Sequence, residues 1–186
     1  MRPLIYIYEG DFPTGDAGFP MIKRAAEFFG EENGIEIPGD LQILREEKGK
    51  PYFPDFPVHF SLSHSESMWM CMFADTPCGI DIQKMRKCSW EKIAERNFGD
   101  REARYAKLFG EEGFFQVWVR KEALAKYTGK GFFSDMPQTV DENIDPAEIV
   151  EADGKKLFMR EIYIADDIKC AFCSESDEEP EVRLLI

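Results

Sequence analysis

The sequence predicts an α+β fold with mainly antiparallel sheets. Three observations carry that expectation. Strand-type patterns fill the first part of the chain around one helical stretch, helical patterns dominate residues 90–127, and strands return in the last third. The central strand candidates are joined by segments of hairpin length, which favours antiparallel pairing.

Taken in order, the alternation in LIYIY at residues 4–8 predicts an opening strand, and Asp11, Pro13 and Gly15 mark the turn after it. A helix is expected over residues 19–29, closed by Gly30. Asn33-Gly34 and Pro38-Gly39-Asp40 mark turns, and LQIL at 41–44 reads as a short strand before the loop Lys48-Gly49-Lys50-Pro51. Pro51, Pro54 and Pro57 keep the next stretch extended. Consecutive antiparallel strands are expected over 58–63, 68–74 and 78–83. The middle one, MWMCMFA, is apolar on both faces and should be buried on both. Helices are expected over 90–97, 100–109 and 113–127, the last stopping at Gly129-Lys130-Gly131. Strands follow at 156–164, after the Asp153-Gly154 turn, and at 168–173 and 181–185. No internal repeat is visible, and the acidic residues 175–181 read as an exposed turn.

At 186 residues the chain can bury one good core or two small lobes packed together. A hydrophobic fraction of 44% with 13% aromatic residues is that of a folded globular protein. The opening apolar run is broken by Glu9 and Asp11, too early for a secretion signal or a membrane span. Five scattered cysteines fit a reducing compartment, so the expectation is a cytoplasmic protein with no membrane partner. A net charge of -13 argues against nucleic acid as a partner. The charge is uneven, however: between Lys84 and Lys107 there are eight Lys or Arg against four Asp or Glu, a local balance of +4. That segment reads either as a basic docking patch or as the solvated face of an amphipathic helix.

Three groups of residues have chemical potential. In Gly79-Ile80-Asp81-Ile82-Gln83, strand geometry puts Asp81 and Gln83 on one face and the isoleucines on the other. The pair suits a hard cation, held directly or through water, although a strand-end aspartate is more often an exposed or capping residue. In the helix around Trp118, the spacing of Trp118, Glu122 and Lys126 makes one stripe, which presents a carboxylate and an ammonium in line or forms a surface ion pair. In Phe60-Ser61-Leu62-Ser63-His64-Ser65, a hydroxyl and an imidazole stand where a strand opens into a turn, which suits phosphate. No nucleophile-elbow sequence accompanies them, which disfavours a Ser-His-Asp hydrolase. Cys170 and Cys173 form a single C-x-x-C on the strand expected over 168–173, where this spacing points the two thiols apart and disfavours zinc.

The order and separation of these motifs resemble the Sfp-type 4'-phosphopantetheinyl transferase superfamily. The resemblance is carried by Gly49-Lys50-Pro51, Phe60-Ser61-Leu62-Ser63-His64-Ser65, Gly79-Ile80-Asp81-Ile82, and Trp118-x-x-Lys121-Glu122-Ala123-x-x-Lys126 followed by Gly129-Lys130-Gly131, and it covers residues 49–131. It implies two similar α+β lobes with packed helices, related by a pseudo-twofold axis. The N-terminal lobe would be residues 1–75, the C-terminal lobe 76–186, and the active-site cleft would lie between them.

The implied activity is transfer of 4'-phosphopantetheine from coenzyme A to a serine of an acyl or peptidyl carrier protein, with Mg2+. By the same resemblance Asp81 and Glu122 would hold the Mg2+, with Gln83 in the third position of the metal set. Glu122, Lys126 and Asp81 would form the reacting centre. Lys126 would reach the pyrophosphate, Ser63 and His64 the 3'-phosphate, and Lys50 with Pro51 the nucleotide end. The attacking serine belongs to the carrier, so the chain itself needs no nucleophile, and a monomer is expected. Two departures stand out. Gln83 replaces an acid that many relatives carry, and the N-terminal region lacks the basic helix of the family, leaving Lys23 and Arg24 as candidate substitutes. These departures motivate an alternative to the active transferase: a non-catalytic relative that binds coenzyme A or a nucleotide.

Overall fold

In the computed structural model, which describes residues 1–131 and 136–186, alternation in LIYIYE directs Leu4 and Tyr6 to one side and Ile5 and Ile7 to the other. All four are buried, so β1 (Leu4–Glu9) is covered on both faces. A 3-10 turn (Gly15–Gly18) leads into α1 (Phe19–Asn33), with Pro20 in the first turn, where its missing N–H leaves no hydrogen bond unmade. The helix runs past the expected stop at Gly30 and ends on Gly34, whose φ of 67° is left-handed. Gly30 lies within the helix because the returning chain crosses it closely: a Cβ there would stand 2.7 Å from the Ile35 carbonyl oxygen.

β2 (Leu44–Arg45) and β3 (Pro51–Tyr52) form a small hairpin, in which only Leu44 of the expected 41–44 strand takes part. β4 (His59–Ser65) and β5 (Met68–Ala74) pair through a tight turn at Glu66 and Ser67. β5 is buried from Trp69 to Ala74, as its two-sided apolar pattern requires. The connection at 75–77 is not a hairpin: β5 is flanked by β1 and β4 on its two edges, so β6 (Cys78–Lys84) starts a separate sheet.

α2 (Trp90–Asn97) and α3 (Asp100–Thr128) follow, and α3 breaks at Gly110 (φ 67°, ψ -146°) into the two helices expected from the pattern. β7 (Ile149–Ala152), which the sequence reading missed, precedes β8 (Lys155–Glu161), β9 (Ile168–Ser174) and β10 (Glu181–Leu184).

The first sheet has the order β10-β1-β5-β4, antiparallel except for the parallel β1–β10 pair, and the second, β6-β9-β8-β7, is antiparallel throughout. The fold is therefore α+β with mainly antiparallel sheets. It also contains a repeat that the residues do not show. In each half a strand is followed by a helix and then a hairpin, and the second hairpin strand pairs with the first strand of the unit. This gives β1-β5-β4 around α1 and β6-β9-β8 around α3.

One face of the first sheet (Leu4, Tyr6, Cys71, Phe73) packs on Ile22, Ala25, Ala26 and Phe29 of α1. Its other face (Ile5, Ile7, Met70, Met72) packs on Ile80, Ile82, Cys170 and Phe172 of the second sheet. The far face of the second sheet (Leu157, Met159, Cys173) packs on Ala123 and Leu124 of α3. Cys170 and Cys173 thus enter different cores, as their strand spacing dictates.

The two sheets meet along β4 and β6 through side chains. The hydroxyls of Ser61, Ser63 and Ser65 accept the backbone N–H groups of Ile80, Ile82 and Lys84 at 3.1, 3.3 and 2.9 Å. Every second residue of β4 is a serine, and every second N–H of β6 faces it, so alternation on both strands turns two sheet edges into one satisfied seam. The candidate site lies on this seam.

Candidate active site

Because Ile80 and Ile82 enter the core between the sheets, Asp81 and Gln83 face the opposite way, toward α3. Gly79 lets the helix approach: a Cβ on it would stand 2.0 Å from the carbonyl oxygen of Ala123 and 2.7 Å from the backbone nitrogen of Tyr127. On α3 the stripe of Trp118, Glu122 and Lys126 then lines a groove of about 390 Å³ with Ser63, His64, Asp81 and Gln83. Residues from three elements, expected together only on motif grounds, share one concavity.

Asp81 is 6% exposed. One of its oxygens, Oδ1, accepts two hydrogen bonds of 2.7 Å, from Ser63 Oγ and from Lys126 Nζ. Ser63 is itself buried and also receives the Ile82 N–H, so its hydroxyl links the seam to the carboxylate. Lys126 does not pair with Glu122 one turn before it: among the described residues its ion pair is with Asp81. The Glu122 carboxyl is held above the usual carboxylate range, first by burial and then by the charge of Asp81, with Lys126 pulling the other way. Gln83 donates its amide N–H groups to the Lys84 carbonyl (2.9 Å) and to Ser65 Oγ (3.4 Å). His64 is exposed at the rim, its ring 5.5 Å from that of Phe12.

A second cleft of about 370 Å³ adjoins the groove through His64, Glu122 and Lys126 and runs to Lys50, Pro51 and the 3-10 turn. Arg45 and Lys48 line it as well, and the sequence reading missed both. Their signal was position alone, on the strand and loop leading into Gly49-Lys50-Pro51. Lys50 Nζ donates to the carbonyl of Tyr127 (2.9 Å), and Lys48 Nζ to that of Lys130 (2.8 Å). The hairpin thereby places two ammonium groups at the carbonyl end of α3, where the helix dipole favours positive charge. Arg45 pairs with Asp16 at 2.7 Å and stands 5.3 Å from the Phe19 ring centroid. The candidate substitutes Lys23 and Arg24 do not line this cleft, and the Arg24 guanidinium instead bonds the carbonyl of Ile186 and lies over Phe28.

The cleft gathers Arg45, Lys48, Lys50 and Lys126, which suits a polyanion. The groove beside it offers hard oxygen donors. Among the described residues no set of three His, Cys, Asp or Glu side chains converges on a metal position, and Asp81 and Glu122 share the groove with the neutral Gln83. Two carboxylates, Asp81 and Glu122, in one groove that opens to the cationic cleft nevertheless fit Mg2+. That ion is commonly held by one or two carboxylates together with substrate phosphates and water.

Residues 77–182 match the model of the 4'-phosphopantetheinyl transferase superfamily. The chain is 31% identical over 147 residues to the 4'-phosphopantetheinyl transferase gsp of Aneurinibacillus migulanus, covering 75% of this chain and 61% of that one. It is 38% identical over 99 residues to the 4'-phosphopantetheinyl transferase Sfp of Bacillus subtilis (strain 168), covering 50% and 43%. It is 35% identical over 108 residues to the 4'-phosphopantetheinyl transferase HetI of Nostoc sp. (strain PCC 7120 / SAG 25.82 / UTEX 2576), covering 53% and 45%. The matches thus span 61% of the first of these relatives and less than half of the other two.

Proposed function

The chain belongs to the 4'-phosphopantetheinyl transferase superfamily, and from that premise we propose that it transfers 4'-phosphopantetheine from coenzyme A to a serine of an acyl or peptidyl carrier protein. The single observation that best supports this reading is the junction of a two-carboxylate groove, Asp81 with Glu122, and a cationic cleft at Lys126.

In this reading coenzyme A lies along the cleft. Lys50 and Pro51 hold its nucleotide end, His64 flanks the 3'-phosphate site, and Lys126 meets the diphosphate, whereas Ser63, expected beside His64, is buried with its hydroxyl committed to Asp81 and the Ile82 N–H and supports the site through Asp81 instead. Arg45 and Lys48 add the positive charge that the family's basic helix would otherwise bring. Asp81 and Glu122, with Gln83 beside them, would hold Mg2+, which when bound neutralises charge on the phosphate oxygens.

The carrier serine Oγ attacks the β-phosphorus as Glu122 accepts its proton. The bond from that phosphorus to the bridging oxygen breaks, and adenosine 3',5'-bisphosphate leaves with its new charge against Lys126.

The carrier is an acidic partner in this reading, and the first half of α3 supplies a matching surface. Arg104 and Lys107 are exposed beside Leu108 and Phe109, which are 64% and 56% exposed. The repeated topology supports residues 1–75 and 76–186 as the two lobes, with β10 returning to the first sheet; the same reading takes the protein as a monomer acting in the cytoplasm. No helix among the described residues is long and apolar enough to cross a membrane.

The test is intact-mass measurement on a panel of apo carrier proteins incubated with coenzyme A and Mg2+. A phosphopantetheine increment on at least one carrier is expected. Calorimetric binding of coenzyme A with no increment on any carrier would instead identify the non-catalytic binding relative.

A further inference from the structure

We propose that Lys126 is the resident cation of the Asp81 carboxylate, and that the groove exchanges it for a divalent metal as Lys126 moves onto the diphosphate. Metal and coenzyme A would then bind cooperatively through one side chain. The inference rests on the coenzyme A reading above and extends it to the order within the site.

A carboxylate that is 6% exposed needs a counter-charge, and Asp81 has one in Lys126 at 2.7 Å. Ser63 Oγ bonds the same oxygen, so the ammonium and a buried hydroxyl together fix this carboxylate before any metal arrives. Glu122 stands on the helix between Trp118 and Lys126 and opens into the same groove, yet among the described residues it has no ion pair. The groove therefore holds two carboxylates and one ammonium, and the ammonium sits on the more buried acid.

A divalent ion held by Asp81 and Glu122 would compete with this ammonium for the Asp81 carboxylate, because like charges beside one acid repel each other. Lys126 has an alternative position: it lines both the groove and the cationic cleft, its side chain is 28% exposed, and its stem is long and flexible. A diphosphate in the cleft offers it a new counter-charge at the moment the metal needs the old one. By linkage, whatever coenzyme A adds to metal affinity the metal adds to coenzyme A affinity, commonly about 5–150-fold.

The test is Mn2+ binding followed by electron paramagnetic resonance, with and without coenzyme A, on the full chain. Wild-type protein is expected to bind Mn2+ at least about tenfold more tightly when coenzyme A is present. Lys126→Met is expected to bind Mn2+ without coenzyme A at least about tenfold more tightly than wild type, and to show less gain from coenzyme A. Lys126→Arg, which keeps the charge, is expected to stay near wild type without coenzyme A.

Lys84→Met controls for the general field. Lys84 pairs with Glu66 and Asp167 at the end of the same strand, so its loss should change Mn2+ affinity less than about twofold. Equal wild-type affinity with and without coenzyme A, a Lys126→Met variant no tighter than wild type, or a Lys84→Met gain as large as that of Lys126→Met would each overturn the inference. Each of these results is read without turnover. A failure here is therefore distinct from failure of the transfer reading, which appears as the absence of a mass increment on carriers.

Discussion

Gly79 of β6 and Ala123 of α3 are in backbone contact: a Cβ on Gly79 would stand 2.0 Å from the Ala123 carbonyl oxygen. Asp81 lies two residues beyond this contact on the strand, and Glu122 one residue before it on the helix. The distance between the two carboxylates is thus set by a missing side chain. Gly79→Ala is expected to push α3 off the sheet at a cost of about 1–3 kcal/mol or more, since a backbone neighbour cannot repack. Urea unfolding should show the lowered midpoint, and the surviving folded protein should transfer more slowly because the acids are separated. Unchanged stability would mean that the helix does not sit on Gly79.

Much of this site was legible because strand and helix periodicity assign faces before any fold is known. Asp81 had to lie opposite Ile80 and Ile82, and Glu122 had to share a stripe with Trp118 and Lys126. The partner of Lys126 was not legible. Sequence spacing offered Glu122 at i-4, whereas the structure offers Asp81 from another sheet, and a buried carboxylate attracts the ammonium more strongly than a half-exposed one. The pairing of β6 was likewise hidden, since a three-residue connection suits a hairpin as well as a step between sheets. The serines of β4 resembled ligand-binding groups, and only coordinates show Ser61, Ser63 and Ser65 accepting the N–H groups of β6.

Glu122→Gln is expected to reduce the transfer rate by about 10²–10⁴-fold, the usual range for loss of a general base. It should also stabilise the metal-free protein. Burial raises the Glu122 carboxyl above its ordinary value of 4.5, so folding favours its protonated form. Its contribution is most favourable below pH 4.5 and is lost as pH rises through the higher folded value. The stability gap between Glu122→Gln and wild type should therefore be present at pH 7 and close as pH falls toward 4.5. Denaturant titrations across that range check it, and a gap that grew in acid would reverse the assigned shift.

Arg45→Ala and Lys48→Ala are each expected to raise KM for coenzyme A with little change in kcat, because both line the cleft away from the groove. Charge-assisted hydrogen bonds contribute about 1.5–3 kcal/mol, and partial exposure places these residues at the lower end, about tenfold in KM. Lys23→Ala, outside the cleft, should leave KM unchanged. Steady-state kinetics with varied coenzyme A separates the cases, and a loss confined to kcat would remove both residues from the binding surface.

Lys121, beside Glu122 in the motif, has a different task. It is 4% exposed and forms a 3.0 Å ion pair with Glu102, which is 0% exposed. Glu102 also accepts the backbone N–H groups of Gly99 (2.9 Å) and Thr139 (2.8 Å), so one carboxylate joins the start of α3, its second half and the chain beyond it. Lys121→Met leaves that carboxylate buried with amide and hydroxyl donors but no counter-charge, and should cost about 3–5 kcal/mol. Glu102→Gln combined with Lys121→Met should recover part of the loss, because the stranded charge is gone and both side chains keep their shape. Urea denaturation of the single and double variants provides the cycle. Additive losses would show that the two side chains act separately, whereas recovery in the double variant would show that the lysine of the motif neutralises a buried acid and thereby holds the helix that presents Glu122.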